Sequence, residues 1–420
     1  MRVPCALLAF LVLGLLLPAS SVGQISINQV PRQRTVPGLE QTRTRAETSP
    51  YHLGPIRFAP VLDISRAGYD SNVYGFPTGR EISAYTASVS AGFRWLVPAG
   101  PKMYVVGDAI PAYLWYDNLA ARSFFGGSFS AYLLGFFNRA TLEVGGFNSR
   151  ALTHISSETQ AGVVQTTLAG VAKMEVEVAR NFYVFGNLEV ARLRFGQGET
   201  LVDIDTSQFQ RTEGRAGGGV RYQFSSSFDI SAAYERTRTE FVFIPELSDN
   251  ESNAYLVTIH YDRPRFYVNL AGGYRQGQAF KGSSFKEYTT PTGGYFMSYL
   301  LTRKIELQAY GDRRVTYGVV IPQFIQTRYG GGINFQMLPN VRLRAYGVWG
   351  SNVYGETGTG TAERTDTTAD YGGGFSATVF RNIVWTATVT ESQLRSPVAG
   401  SGRNRLKIFT GLSFDGVFKR

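Results

Sequence analysis

From Ile56 onward the chain alternates apolar and polar residues in stretches of strand length. Val341-Arg342-Leu343-Arg344-Ala345-Tyr346 places apolar residues at odd positions and polar or amphipathic ones at even positions. The same period of two runs through Lys304 to Asp312, Lys173 to Val178, Val220 to Phe224 and Phe228 to Ala232. A period of two belongs to a strand with one apolar and one polar face. The pattern predicts strands over 56–69, 81–96, 102–116, 123–137, 139–150, 162–179, 182–195, 211–224 and 228–240. It continues over 253–262, 265–276, 292–302, 304–315, 325–337, 341–353, 370–380, 383–393 and 404–418.

Short polar turns join these strands in pairs. They fall near Ala99-Gly100, Asn138-Arg139, Arg180-Asn181, Ser226-Ser227, Asp262-Arg263, Arg303-Lys304, Pro339-Asn340 and Arg381-Asn382. The remaining connections are longer and rich in Gly, Ser, Thr, Asn and Asp, as at 196–210, 277–291 and 354–369. Short turn, strand, long loop, strand is the rhythm of a transmembrane barrel with short periplasmic turns. Most of the strands exceed the ~9–11 residues that cross a bilayer at a tilt. The expected fold is all-β: an antiparallel up-and-down transmembrane β-barrel of about 18 strands, or 16 if one weak pair is misread. An even number leaves both chain ends in the periplasm.

Aromatic residues sharpen this reading, because a soluble sandwich alternates too. Phe136 and Phe137, Phe182 and Tyr183, Phe224 and Phe228, Tyr261 and Phe266, and Phe380 and Trp385 flank the short turns. Amphipathic rings at that level form an interfacial girdle. Phe (29) and Tyr (24) are abundant and charged residues make up only 18%, below the ~25% usual in soluble domains. No run of ~20 apolar residues follows residue 23, which excludes a helical membrane protein.

The first residues read differently. Arg2, the apolar stretch Ala6 to Leu17 and the small residues Ser21-Val22-Gly23 make residues 1–23 a secretory signal peptide. Cys5, the single cysteine, precedes the apolar stretch, so cleavage leaves a chain without disulfide or thiolate metal site. Residues 24–55 lack alternation and are expected to form a disordered or loosely docked periplasmic tail, with a lumen plug as the lesser reading, ahead of the barrel at 56–420. The formal charge of +10 is spread singly through the strands with no basic block, which argues against nucleic acid as a partner.

Tyr69-Asp70-Ser71-Asn72-Val73, at the end of the first strand, resembles the opening of the outer-membrane β-barrel porin families of Gram-negative bacteria. The resemblance is sharp over about fifteen residues and architectural beyond them. It implies the outer membrane as location and lipid, lipopolysaccharide and the barrel-insertion machinery as partners. Some relatives stand near exopolysaccharide assembly, which adds polysaccharide-export components as partners. The last strand, with Leu406, Ile408, Thr410, Leu412, Phe414 and Phe418 on one face, resembles the signal that insertion machinery reads. Ser71-Asn72-Val73-Tyr74-Gly75 recurs as Ser351-Asn352-Val353-Tyr354-Gly355, read as a shared strand-to-loop exit more than as a ligand-binding pair.

Candidate chemistry is sparse. His52, His154 and His260 have no metal-ligand spacing, and His260 falls on the lumenal face by parity. No cofactor or metal is expected. Glycine runs at Gly217-Gly218-Gly219, Gly330-Gly331-Gly332 and Gly372-Gly373-Gly374 read as relief of crowding in strands, not as phosphate cradles. What remains is charge on the lumenal face. The lumen-lining candidates are Lys173, Glu175, Glu177, Glu189, Arg221, Asp229, Lys304, Glu306, Asp312, Arg342 and Arg344. Arg215, Arg275, Lys407, Glu143, Glu235 and Asp415 share that parity. The two signs nearly cancel, so overall basicity does not imply an anion-selective pore. Loop acids Glu199, Asp203, Asp205, Asp249 and Glu251 read as solvated charge, with divalent cations as the lesser reading.

The expected function is a porin-like channel for diffusion of small hydrophilic solutes or saccharides. The alternatives are an accessory barrel of exopolysaccharide export or cell-surface assembly, and a membrane-embedded enzyme, which the histidine positions disfavour.

Overall fold

The computed structural model describes residues 39–49, 51–154, 162–196, 200–201, 204–244, 248–317, 323–354, 364–380, 382–398 and 400–416. Residues 1–23, read above as a signal peptide, lie outside them. Each expected strand is present. The first half comprises β2 (Ile56–Asp70), β3 (Ala84–Pro98), β4 (Met103–Tyr116), β5 (Phe124–Phe136), β6 (Ala140–His154), β7 (Gly162–Ala179) and β8 (Phe182–Phe195). After the small hairpin β9 (Thr200–Leu201) and β10 (Ile204–Asp205) come β11 (Arg211–Ser225), β12 (Phe228–Phe241), β13 (Asn250–Arg263) and β14 (Phe266–Ala279). The rest are β15 (Tyr288–Leu300), β16 (Ile305–Thr316), β17 (Phe324–Leu338), β18 (Val341–Tyr354), β19 (Arg364–Phe380), β20 (Ile383–Arg395) and β21 (Arg403–Asp415).

Every one of these eighteen long strands pairs antiparallel with its sequence neighbour, with β8 joined to β11 across the hairpin. β2 pairs with β3 on one side and β21 on the other, which closes the sheet. Closure matters because a free sheet edge carries unpaired N–H and C=O groups that hydrocarbon cannot satisfy. Short β1 (Tyr51–Leu53) adds a hairpin to the start of β2.

Boundaries differ from the sequence reading where the alternation weakens. The turn placed at Asp262-Arg263 falls at residues 264–265 instead. Arg263 still pairs with Phe266, and Pro264, lacking an N–H to give to the ladder, takes the bend. Lys304 lies in the turn before β16, not on the strand. On the long-connection side β13 starts at Asn250, β15 at Tyr288 and β19 at Arg364, each several residues early. Those ends stand clear of the apolar belt and are polar on both faces, so no alternation announces them.

Helix α1 (Leu39–Glu47) lies in the segment that showed no strand period. Its Leu39 and Ala46 pack on Leu96, Tyr104, Leu134 and Phe136, from the inner faces of β3, β4 and β5 near their short turns. Two residues of the glycine runs show why glycine is needed. A Cβ on Gly219 would stand 2.2 Å from the Ala232 carbonyl oxygen, and one on Gly374 would stand 2.3 Å from that of Ala387. Adjacent strands approach too closely there for any side chain.

Candidate functional site in the barrel lumen

Burial assigns the two faces. Tyr85, Val89, Phe129, Leu188, Val220, Tyr255, Leu270, Tyr299, Ile333, Trp349, Val389 and Leu412 are exposed on the outer face around the whole sheet. Burying one such side chain is worth ~1.5–3 kcal/mol, and patches of more than a few hundred Å² mark contact with something apolar. A belt that circles the barrel has hydrocarbon as its natural surroundings. No helix among the described residues is long and apolar enough to cross a membrane.

The opposite parity places charge on the inner face, and the two signs occupy different arcs. On β6, β7, β8, β11, β12 and β13 the inner carboxylates are Glu143, Glu175, Glu177, Glu189, Glu213, Asp229, Glu235 and Asp262. The Lys and Arg residues on that arc are held by carboxylates. Arg221 grips Glu175 through two nitrogens at 2.6 and 3.2 Å and lies 4.2 Å over the Tyr183 ring. Lys173 stands 3.6 Å from Glu143, Arg211 2.7 Å from Glu213 and Arg215 3.5 Å from Glu235. Arg275, on β14, reaches Glu235 at 2.6 Å as well. His260 meets Asp229 at 3.0 Å, facing the lumen as its parity requires.

From β16 through β21 to β2 the balance reverses. Arg314, Arg328, Arg342, Arg344, Arg364, Arg403, Arg405 and Lys407 share the inner face with Asp63, Asp70, Glu306, Asp312, Asp366 and Asp370. Asp312 is clasped by Arg328 at 2.9 Å and Arg314 at 3.5 Å, and Asp366 by Arg364 at 2.8 Å. Arg344 lies on the Tyr346 ring at 5.5 Å and is exposed to the lumen. Arg342 donates to Gln336, not to a carboxylate. Glu306 accepts from the amides of Gln308 and Asn334.

Of the sequence candidates, Lys173, Glu175, Glu177, Glu189, Arg221 and Asp229 fall on the first arc. Glu306, Asp312, Arg342 and Arg344 fall on the second, and Lys304 lies in its turn. The side chain of Asp415 is outside the described residues. Asp249 and Glu251 are not free loop acids. Asp249 is buried and accepts the Phe241 N–H at 2.7 Å, while Glu251 belongs to β13. Glu199 and Asp203 lie outside the described residues.

The motif at the first strand end forms a clasp on the closing seam. The carboxylate of Asp70 receives two N–H groups of Arg405, at 2.9 and 2.5 Å, and both side chains are buried. Asp70 also accepts the Asn72 N–H, and Ser71 Oγ accepts the Leu406 N–H at 2.8 Å. Asn72, fully buried, gives its amide to the carbonyls of Phe76 and Asn404. First and last barrel strands are thereby tied at one level. In the second copy Asn352 is equally buried and accepts from Gln326. Both copies thus bury their asparagine, but Asn72 follows the end of β2 whereas Asn352 still pairs with Gln326 and Asp366 inside β18; Gly355 is outside the described residues.

Connections on the long side turn inward, which strand alternation did not signal. Val73 packs with Ala84, Leu114 and Tyr116, and Arg122 covers the Tyr74 ring at 4.4 Å and donates to the Gly162 carbonyl. Phe209, from the turn Thr206–Phe209, packs on Ala191, Leu193 and Phe195. Tyr317 donates to Asn250 Oδ1 at 3.0 Å beside the Phe241 ring, and burial pushes its phenol pKa up. The lumen therefore narrows at both ends, by α1 below and by these residues above.

Solved structures share this architecture. The outer membrane protein OpdK of Pseudomonas aeruginosa matches with a TM-score of 0.52 at 10% identity, over 87% of this chain and 99% of that one. OccK2 (OpdF) of the same organism, in complex with glucuronate, matches with 0.53 at 9% identity, over 86% and 99%. A BenF-like porin from Pseudomonas fluorescens Pf-5 gives 0.51 at 10%, over 86% and 99%. The likeness establishes the fold, a closed porin-type barrel. No family model and no curated protein matches the sequence.

Proposed function

We propose that the protein is an outer-membrane porin-like channel through which small hydrophilic solutes, saccharides among them, diffuse. One observation carries the reading: an apolar outer belt and a charged inner face alternate on the same eighteen closed strands. A barrel of 16–18 strands leaves an aqueous passage by geometry. Residues 1–23 supply the export signal, and the motif Tyr69 to Val73 together with the last strand supports membership among the outer-membrane porin families.

The segregated walls suggest how a solute is handled. Opposed arcs of opposite sign set a field across the passage, and rings or rows of charge govern what passes a pore. Because the arcs nearly cancel, bulk ion selectivity is weak, while polar solutes are turned by the field. Arg342 and Arg344 on one wall can meet a carboxylate, and Glu177 and Glu189 on the other can accept hydroxyl groups. OccK2 was solved with glucuronate, a sugar carrying a carboxylate. A hydroxylated acid of that kind suits both walls of this lumen.

Liposome swelling tests the proposal. Vesicles holding the purified chain should swell in arabinose, glucose and glucuronate at rates that fall with solute size. Vesicles that stay osmotically tight to all three solutes would refute the channel.

A further inference from the structure

The lumen does not use all the arginines of the barrel. On the outer face of β8, Arg192 and Arg194 are exposed, and on the outer face of β12, Arg236 and Arg238 are exposed. Between these columns β11 presents only Thr212, Gly214 and Ala216; Gly214 and Ala216 lie opposite Arg238 and Arg236, and Thr212 lies between Arg192 and Glu240, whose carboxylate is neutralised by Lys281 at 2.7 Å. Two rows of guanidinium groups thus flank a shallow trough of small side chains.

The level of the trough is fixed by its neighbours. Arg192 is the cross-strand partner of Leu168, which is 59% exposed on the apolar belt, and Val190 lies directly below on the same face. The arginines therefore stand at the upper edge of the belt, on the long-connection side, where carbon stems lie along lipid and cationic heads rise to the headgroups. One row is already oriented. Glu251 holds Arg236 at 2.6 Å and Arg238 at 3.8 Å, and Arg238 is stacked on Phe280 at 4.1 Å. The other row, Arg192 and Arg194, has no carboxylate within ion-pair distance among the described residues. Arg150 on β6 extends that row, facing out in register with Arg194 through Thr166. Farther round, this level is mostly neutral, with Gln276, Thr289, Thr327, Ser351 and Thr367 facing out and Arg313 and Arg395 standing singly.

We infer that this rim of β8, β11 and β12 binds the phosphate groups of a phosphorylated glycolipid in the outer leaflet. Guanidinium forks match phosphate oxygens in pairs, and the bonds are strongest where water is thin. The trough admits the sugar backbone close to the wall, while acyl chains continue down over Leu168, Leu188 and Val190. The inference rests on the membrane placement proposed above.

Native mass spectrometry of the full chain in detergent, titrated with bisphosphorylated lipid A and with its dephosphorylated form, tests it. The wild type should favour the phosphorylated lipid by about tenfold or more, the worth of one charge-assisted hydrogen bond. R192Q/R194Q should lose that preference, while the control R313Q/R395Q keeps it. Equal binding of the two lipids, or an unchanged preference in R192Q/R194Q, overturns the inference. So does a drop from oligomer to monomer in R192Q/R194Q without lipid, which would assign the rim to a second copy of the chain. Insertion of the same preparations into liposomes keeps the two ideas apart. A chain that inserts but ignores phosphate sinks only the lipid site, and one that never inserts sinks the membrane reading too.

Discussion

The two walls of the lumen are built from the same alternation yet hold their charges differently. Along β6 to β13 the basic side chains are tied to carboxylates and the surplus is acidic, with Glu177 and Glu189 beyond the pairs. Along β16 to β2 the surplus is basic, and the tightest pair, Asp70 with Arg405, is withdrawn from water at the seam. The difference separates two uses of charge. Partly exposed pairs such as Glu175–Arg221 tune a wet surface, whereas a buried pair fixes the closure of the sheet. The third arc, β3 to β5, carries few charges inside and instead seats α1 through Leu96, Tyr104, Leu134 and Phe136.

The largest effect should come from breaking the seam. Asp70→Ala leaves the Arg405 guanidinium buried without its partner and should cost about 3–5 kcal/mol, read as the urea midpoint of refolded barrel in micelles. The D70A/R405A double substitution should recover part of that loss. A midpoint for D70A equal to that of the wild type would show that the clasp does not close the barrel.

Next in size are opposite shifts in selectivity. R342E/R344E should move the reversal potential in a KCl gradient toward cations, and E177Q/E189Q should move it toward anions. One unit charge ~4 Å from an ion in water is worth ~1 kcal/mol, so each charge should change the permeability ratio by about fivefold at most. If both variants move it the same way, the walls do not oppose each other across one passage.

A smaller effect is expected on the acidic wall itself. Glu175→Ala removes a pair whose side chains are 16% and 30% exposed, and should cost no more than about 1 kcal/mol in the same urea assay. A loss as large as that of D70A would erase the contrast between the walls. Least of all should the neutral arc matter to selectivity. Deleting residues 39–47 should raise conductance and leave the reversal potential where it was, and a shifted reversal potential would give α1 an electrostatic role.

The barrel was legible because one rule, side chains alternating between lipid and water, is repeated in every strand. It failed only where that contrast fades, at strand ends beyond the lipid and at Pro264, where a missing N–H outweighs the polarity of Asp262 and Arg263. The wall asymmetry was present in the sequence but lost in summing all inner charges. Ordering them by strand separates Glu143 to Asp262 from Asp312 to Lys407. Helix α1 also left a signal, since Leu39, Thr42 and Ala46 recur at helical spacing. The inward turn of Val73, Phe209 and Tyr317 left none, because apolar residues in a loop read alike whether they face the lumen or the surface.

Recording single channels in a planar lipid bilayer tests the central claim most directly. The purified chain should open a stable, near-ohmic conductance in KCl with only weak ion selectivity. Persistent electrical silence from correctly inserted, heat-modifiable barrel would contradict it.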